Sequence, residues 1–152
     1  MKAIKVLLIT GSKSDLPKMK PCVEMLDEME IPSEIVIASA HRAPKKVLES
    51  VQAAEKAGAE VIIAAAGMSA ALPGVVASLT DLPVIGVPLE GGLPGGLDAL
   101  FSVVQMPPGI PVAAVAVGGA KNAAVLAARI LAIKHADIAK KVHKYRETLA
   151  EG

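Results

Sequence analysis

Histidine and arginine stand side by side in the segment Ser39-Ala40-His41-Arg42-Ala43-Pro44. The pair follows the apolar run Ser33 to Ala38 and precedes a helix-like stretch opened by Pro44. A histidine gives or takes a proton near neutral pH. An arginine is a permanent, forked partner for phosphate. Two such groups are awkward to bury together, so a loop facing a ligand suits them; an exposed pair at a helix start is the plainer alternative.

Three further loops follow apolar runs. Gly11-Ser12-Lys13-Ser14-Asp15 is a glycine turn feeding a helix start. Free backbone N–H groups there suit an anion, and the hydroxyls and carboxylate add ligands for phosphate and ribose. An ordinary helix cap at Ser14 or Asp15 explains the same residues. Gly67-Met68-Ser69-Ala70-Ala71-Leu72-Pro73-Gly74 is built from small residues, which let a ligand approach the backbone or a helix pack closely on a sheet. The stretch from Glu90 to Asp98 holds four glycines and reads as a mobile lid; neither Glu90 nor Asp98 acquires a role from the sequence.

The elements that position these loops alternate. Strand patterns cover Ile4–Thr10, Ser33–Ala38, Val61–Ala66, Pro83–Val87 and Val112–Val117. Helix patterns cover Leu16–Glu30, Pro44–Ala57, Ala70–Thr80, Gly96–Gln105 and Ala120–Lys134, with an amphipathic helix over the tail, residues 135–152. Near-continuous apolar strands alternating with helices predict a parallel sheet covered on both faces. The expected fold is a single α/β domain over residues 1–152, a flavodoxin-like three-layer sandwich with five parallel strands and an extra C-terminal helix. Ligands of such folds sit beyond the carboxyl ends of the strands, where the four loops fall. Ala120–Leu131 is apolar nearly all round, which predicts burial against another subunit. The tail helix is expected to dock on a neighbouring subunit rather than on its own domain.

Composition narrows the function classes. The mean hydropathy is +0.52, yet no apolar run reaches the roughly 18 residues a membrane span needs, so partly covered surfaces of an oligomer are the better explanation. One Phe, one Tyr and no Trp leave no stacking platform for single-stranded nucleic acid or a flavin ring, and a net charge of +1 leaves no duplex-binding footprint. Cys22 is the only cysteine, which excludes a disulfide framework; it reads as a core thiol. His135 and His143 have no evident third metal ligand. The start MKAIKVLLIT runs into GSKSD without a cleavage-type site and reads as a first strand, so a cytoplasmic protein is expected.

Over nearly its whole length the chain resembles the phosphoribosylaminoimidazole carboxylase catalytic-subunit and N5-carboxyaminoimidazole ribonucleotide mutase family. The matching segments are GSKSD (11–15), SAHRAP (39–44), ALPGVVA (71–77), LPVIGVP (82–88), GLDALFSVVQMPPGIPVAAVAV (96–117) and NAAVLAARIL (122–131). The resemblance implies an enzyme of purine synthesis acting on a ribonucleotide, a homo-octamer, and neither metal nor organic cofactor. It implies His41 as the general acid and base, Asp15 on ribose, and Arg42 with Ser12, Ser14 and Ser39 around the phosphate. It implies that the backbone of Gly67, Met68, Ser69 and Ala70 holds the base and the migrating carboxyl group. The mutase pattern after the third strand is GGAAHLPG, and Ala71 stands here in place of its histidine. Two reactions therefore stay open: carboxyl transfer from nitrogen to C4, and direct carboxylation by CO2. A non-catalytic nucleotide-binding protein is the alternative of another class.

Overall fold

The structure is a computed structural model that describes residues 3–152. Its strands are β1 (Val6–Thr10), β2 (Ser33–Ile37), β3 (Val61–Gly67), β4 (Val84–Leu89) and β5 (Ala113–Ala114). Its α-helices are α1 (Leu16–Glu28), α2 (Pro44–Lys56), α3 (Leu72–Ala77), α4 (Leu97–Val104), α5 (Ala120–Ala132) and α6 (Ala136–Glu151). All strand pairs are parallel, in the order β2-β1-β3-β4-β5. This is the expected flavodoxin-like α/β/α sandwich.

Side-chain alternation along the strands makes the two cores. Val6 and Leu8 of β1, with Ile63 and Ala65 of β3, pack under α1 and α5. Leu7 and Ile9, with Ile62 and Ala64, pack under α2, α3 and α4. Full burial of each Val, Leu or Ile side chain among these contributes about 1.5–3 kcal/mol, and each Ala methyl less. Gly86 of β4 is required by this packing: a Cβ there would overlap Val103 Cγ1 of α4 and crowd Val112 Cγ1.

Several element ends shift, α3 most, which spans Leu72–Ala77 where Ala70–Thr80 was expected, and three further expectations change. The fifth strand, expected over Val112–Val117, is two residues long. Gly86 O accepts from Val115 N at 3.1 Å and Pro88 O from Gly118 N at 2.9 Å, so these residues of β4 face β5. Pro88 has no N–H to return, and the ladder stops there. Helix α1 ends two residues early. Glu30 takes a left-handed φ of 52°, and Ile31 N donates back to Leu26 O at 2.8 Å, which closes the helix with a Schellman-type turn. The apolar surface of α5 finds its cover within the chain: Ala120, Ala123, Ala124, Ala127, Ala128 and Leu131 are buried in the core beneath α1 and α6.

The tail helix divides in two. Ile138 is buried, and Val142 and Tyr145 pack partly against the same core; Lys121 Nζ lies 5.7 Å from the Tyr145 ring centroid. Lys141 pairs with Glu30 at the end of α1. Leu149, further along, is 61% exposed.

One carboxylate joins the α5–α6 corner to the sheet. Glu60 Oε1 meets Lys5 Nζ at 3.2 Å and His135 Nε2 at 2.7 Å, and Glu60 Oε2 meets Lys134 Nζ at 2.9 Å. The Lys134 hydrogen bond, helped by those of His135 and Lys5, outweighs burial and lowers the Glu60 carboxyl to about 2. Because the folded value lies below the unfolded one, the pairing stabilises the fold fully above the ordinary value of 4.5 and loses that effect as pH falls through about 2. Glu60→Gln is expected to cost on the order of 1–2 kcal/mol at neutral pH, Lys134 being largely exposed and screened, and almost nothing near pH 2. Urea unfolding of both proteins across that range checks it.

Candidate active site

The strand order turns at β1, whose chain continues to β2 on one side and whose next neighbour on the other is β3. The loops leaving β1, β2, β3 and β4 at this end surround a cleft of about 640 Å³. A second cavity, of about 750 Å³, lies beside the amino end of β4. Its polar wall carries Glu55 and Asp81 but no histidine or basic residue, whereas the first cleft gathers His41, Arg42, Lys18, Asp15 and Glu90. Proton transfer and anion binding both need the first set.

The β1 loop folds as a short 3₁₀ turn, Lys13–Asp15, capped by Ser12. Ser12 Oγ lies 2.9 Å from Ser14 Oγ and accepts from Ser14 N at 3.3 Å. Both hydroxyls therefore lie together on the cleft wall. Asp15 is buried at the start of α1. Burial raises its carboxyl pKa, against the opposing pull of Lys18, the Ser12 backbone N–H and Arg42.

The β2 loop is tied in two places. Ser39 Oγ accepts from Arg42 N at 3.2 Å, and Arg42 Nη2 donates to Gly11 O at 3.0 Å. The second bond joins the β1 and β2 loops and uses one of the five guanidinium donors. His41 is exposed on the cleft wall, and its ring makes no hydrogen bond among the described residues. It is thus available to a bound ligand.

The β3 loop places Gly67, Met68, Ser69 and Ala71 on the wall. Gly67 leaves β3 so close to β4 that a Cβ would sit 3.0 Å from Leu89 O. Ala70, expected among the contact residues, does not line the cleft. Its methyl is in the core and its N–H is already donated to Met68 O at 2.9 Å. Ala71 takes its place at the surface.

The β4 loop is held by its own carboxylates. Glu90 Oε1 accepts from Gly95 N at 3.2 Å and Asp98 Oδ2 from Leu93 N at 3.2 Å. Asp98 Oδ1 is buried without a partner among the described residues. Lys18 Nζ donates to Glu90 O at 2.6 Å, fastening α1 to this loop. Sequence reasoning missed Lys18, which reads as one more solvated lysine on a helix; only its place one turn into α1, beyond Ser14 and Asp15, hints at the cleft.

Nine of the ten expected site residues thus meet at one cleft. Cys22 is buried away from it, where burial pushes the thiol up to about 12 and leaves it inert. Among the described residues no three His, Cys, Asp or Glu side chains converge to hold a metal ion.

Comparison with known proteins agrees with this geometry. The model of the family described as AIR carboxylase matches residues 5–152. An N5-carboxyaminoimidazole ribonucleotide mutase from Thermotoga maritima is 56% identical over 145 residues, which is 95% of this chain and 85% of that protein. A phosphoribosylaminoimidazole carboxylase from Schizosaccharomyces pombe is 46% identical over 95% of this chain, which matches only 26% of that longer protein. The crystal structure of Treponema denticola PurE superposes with a TM-score of 0.86 at 32% identity, covering 96% of this chain and 91% of that one. With a family model spanning nearly every residue and a relative of this identity along almost its full length, the chain belongs to the AIR carboxylase family.

Proposed function

We propose that the chain is an N5-carboxyaminoimidazole ribonucleotide mutase of purine biosynthesis. The observation that carries the reading is one cleft that brings His41 together with Arg42, three serines and a loop of small residues, in a chain 56% identical to a mutase. Arg42 with Ser12, Ser14 and Ser39 takes the phosphate, Asp15 the ribose hydroxyls, and the backbone of Gly67 to Ser69 the base and carboxyl group. The carbamate C–N bond breaks, its electron pair stays on nitrogen, and His41 supplies the proton that completes the amine. The freed CO2 is attacked by C4, forming the C–C bond, and His41 recovers a proton from C4. Protons and electrons balance, and the net change is an isomerisation. Holding CO2 beside C4 replaces a bimolecular encounter with an oriented one.

Direct carboxylation by free CO2 is the second reading, favoured by Ala71 on the cleft wall where the mutase pattern has histidine. The working form is proposed to be a cytoplasmic homo-oligomer, an octamer by resemblance. Its support is a stripe on α4, where Leu97, Phe101 and Val104 are about half exposed or more, and the uncovered end of α6. No helix among the described residues is long and apolar enough to cross a membrane.

The deciding experiment offers purified protein two substrates in parallel: the N-carboxylated ribonucleotide without bicarbonate, and aminoimidazole ribonucleotide with CO2. Efficient turnover of the first is expected. Turnover of the second alone would establish the carboxylase, and turnover of neither would overturn the purine assignment. His41→Asn is expected to lower kcat by about 10²–10⁴ while product binding, followed calorimetrically, and the melting temperature hold.

Asp15 exchanges stability for binding. Its raised pKa means that the folded state disfavours the ionised carboxylate at neutral pH. Asp15→Asn is expected to stabilise the fold at pH 7, the gain fading as pH falls and vanishing below the ordinary value of 3.8, while nucleotide binding weakens. Unfolding titrations at both ends of that range, with binding measured at pH 7, check the pair of effects.

A further inference from the structure

Among the described residues, two that are not glycine hold left-handed backbone, Glu30 and Met68. Glu30 closes α1, a common use of that conformation. Met68 closes no helix. It follows β3 in the wall of the catalytic cleft with φ 55°, a region that glycine enters freely and a long side chain does not. Packing does not compensate for the strain, since Met68 is 60% exposed. The strained backbone instead carries a flexible, apolar thioether to the rim of the site.

What that side chain meets is specific. Met68 Cγ lies 3.2 Å from the point where a Cβ on Gly92 would sit. Gly92 itself has no room for a side chain, because Asp98 Oδ2 fills the place. The β4 loop that presents Gly92 is fixed by Lys18, Glu90 and Asp98. Met68 therefore spans from the β3 loop to bare backbone of a fastened β4 loop, along the edge of the cleft that holds Ser69 and Ala71.

We propose that Met68 is the apolar cap that retains CO2 during carboxyl transfer, an inference that rests on the mutase reading. Between C–N cleavage and C–C formation the migrating group is neutral and has no charge for Arg42 or a backbone N–H to hold. Excluding water and closing the exit are what keep it beside C4. An unbranched apolar side chain does this without offering a hydrogen bond to a competing water, and it swings aside when the nucleotide enters. Met68 acts on retention and not on the proton steps, which belong to His41.

The experiment compares full-length wild type, Met68→Gly, Met68→Gln and Met68→Leu on the N-carboxylated ribonucleotide. The readout is free aminoimidazole ribonucleotide released per carboxylated product formed, above the enzyme-free background. Met68→Gly relieves the backbone and removes the cap; its ratio is expected to rise about tenfold with no fall in melting temperature. Met68→Gln, of similar length but polar, is expected to leak likewise, which keeps the test open if the glycine variant folds poorly. Met68→Leu is expected to stay near wild type. An unchanged ratio in both the Gly and Gln variants, or a Leu variant that leaks as much as they do, overturns the cap. A wild type that turns over neither substrate is a separate failure, of the proposed function itself.

Discussion

A parallel sheet buried on both faces leaves a chain few places to keep polar side chains. Along β1, β3 and β4 nearly every residue lies in one of two apolar cores, and the backbone groups are spent on the ladder. A charged side chain in the middle of such a strand would lose its hydration with nothing to replace it. Charges are admitted where the strands stop, and at the carboxyl ends the loops also expose unspent N–H groups. The cleft is the outcome of that exclusion: His41, Arg42, Ser12, Ser14 and Asp15 stand within a few residues of a strand end because the sheet tolerates them nowhere deeper.

The same cleft is where the chain departs from its own stabilising rules. Asp15 is a carboxyl kept partly dry, and Lys18, Arg42 and a backbone N–H lower that cost without removing it. Met68 occupies a backbone region that glycine would fill more readily. Asp98 leaves a buried oxygen unpaired while its other oxygen holds the loop. None of these arrangements is explained by packing; Asp15 and Met68 line the cleft, and Asp98 holds the β4 loop that borders it. The opposite corner of the molecule shows the contrast. There Glu60 is met by three cationic or titrating partners, and its pKa falls as a pairing that stabilises the fold requires.

How far the sequence reveals the molecule follows from the range of each interaction. SAHRAP and GSKSD were legible because strand ends and helix starts are local patterns, and a parallel sheet sends both to the same edge. The length of β5 was not legible. It depends on Pro88 of a different strand, twenty-five residues before Ala113, withholding one donor. The surroundings of α5 were misjudged because apolarity all round a helix says that it is covered, not by what; α1, the sheet and α6 suffice. Ala70 and Ala71 are interchangeable by residue type, and only the turn after left-handed Met68 decides which faces the cleft. Lys18 became visible only once its ammonium was seen against the Glu90 carbonyl, seventy-two positions away.

The two candidate reactions share their second half, and that limits where the difference between them can lie. In the proposed mechanism, attack of C4 on CO2 and removal of the C4 proton by His41 are common to both. The phosphate and ribose contacts serve the same nucleotide either way. What differs is the first half: a mutase must cleave a carbamate and keep what it releases, whereas a carboxylase must admit CO2 from solution. The proposed function assigns both tasks to the β3 loop, Met68, Ser69 and Ala71, and the phosphate to Ser12, Ser39 and Arg42 of the β1 and β2 loops. Ala71 contributes only a methyl to that wall, and Met68 reaches toward Gly92 of the fastened β4 loop. On the proposed mechanism the two reactions would part at that wall, at Met68 and Ala71, and not at His41.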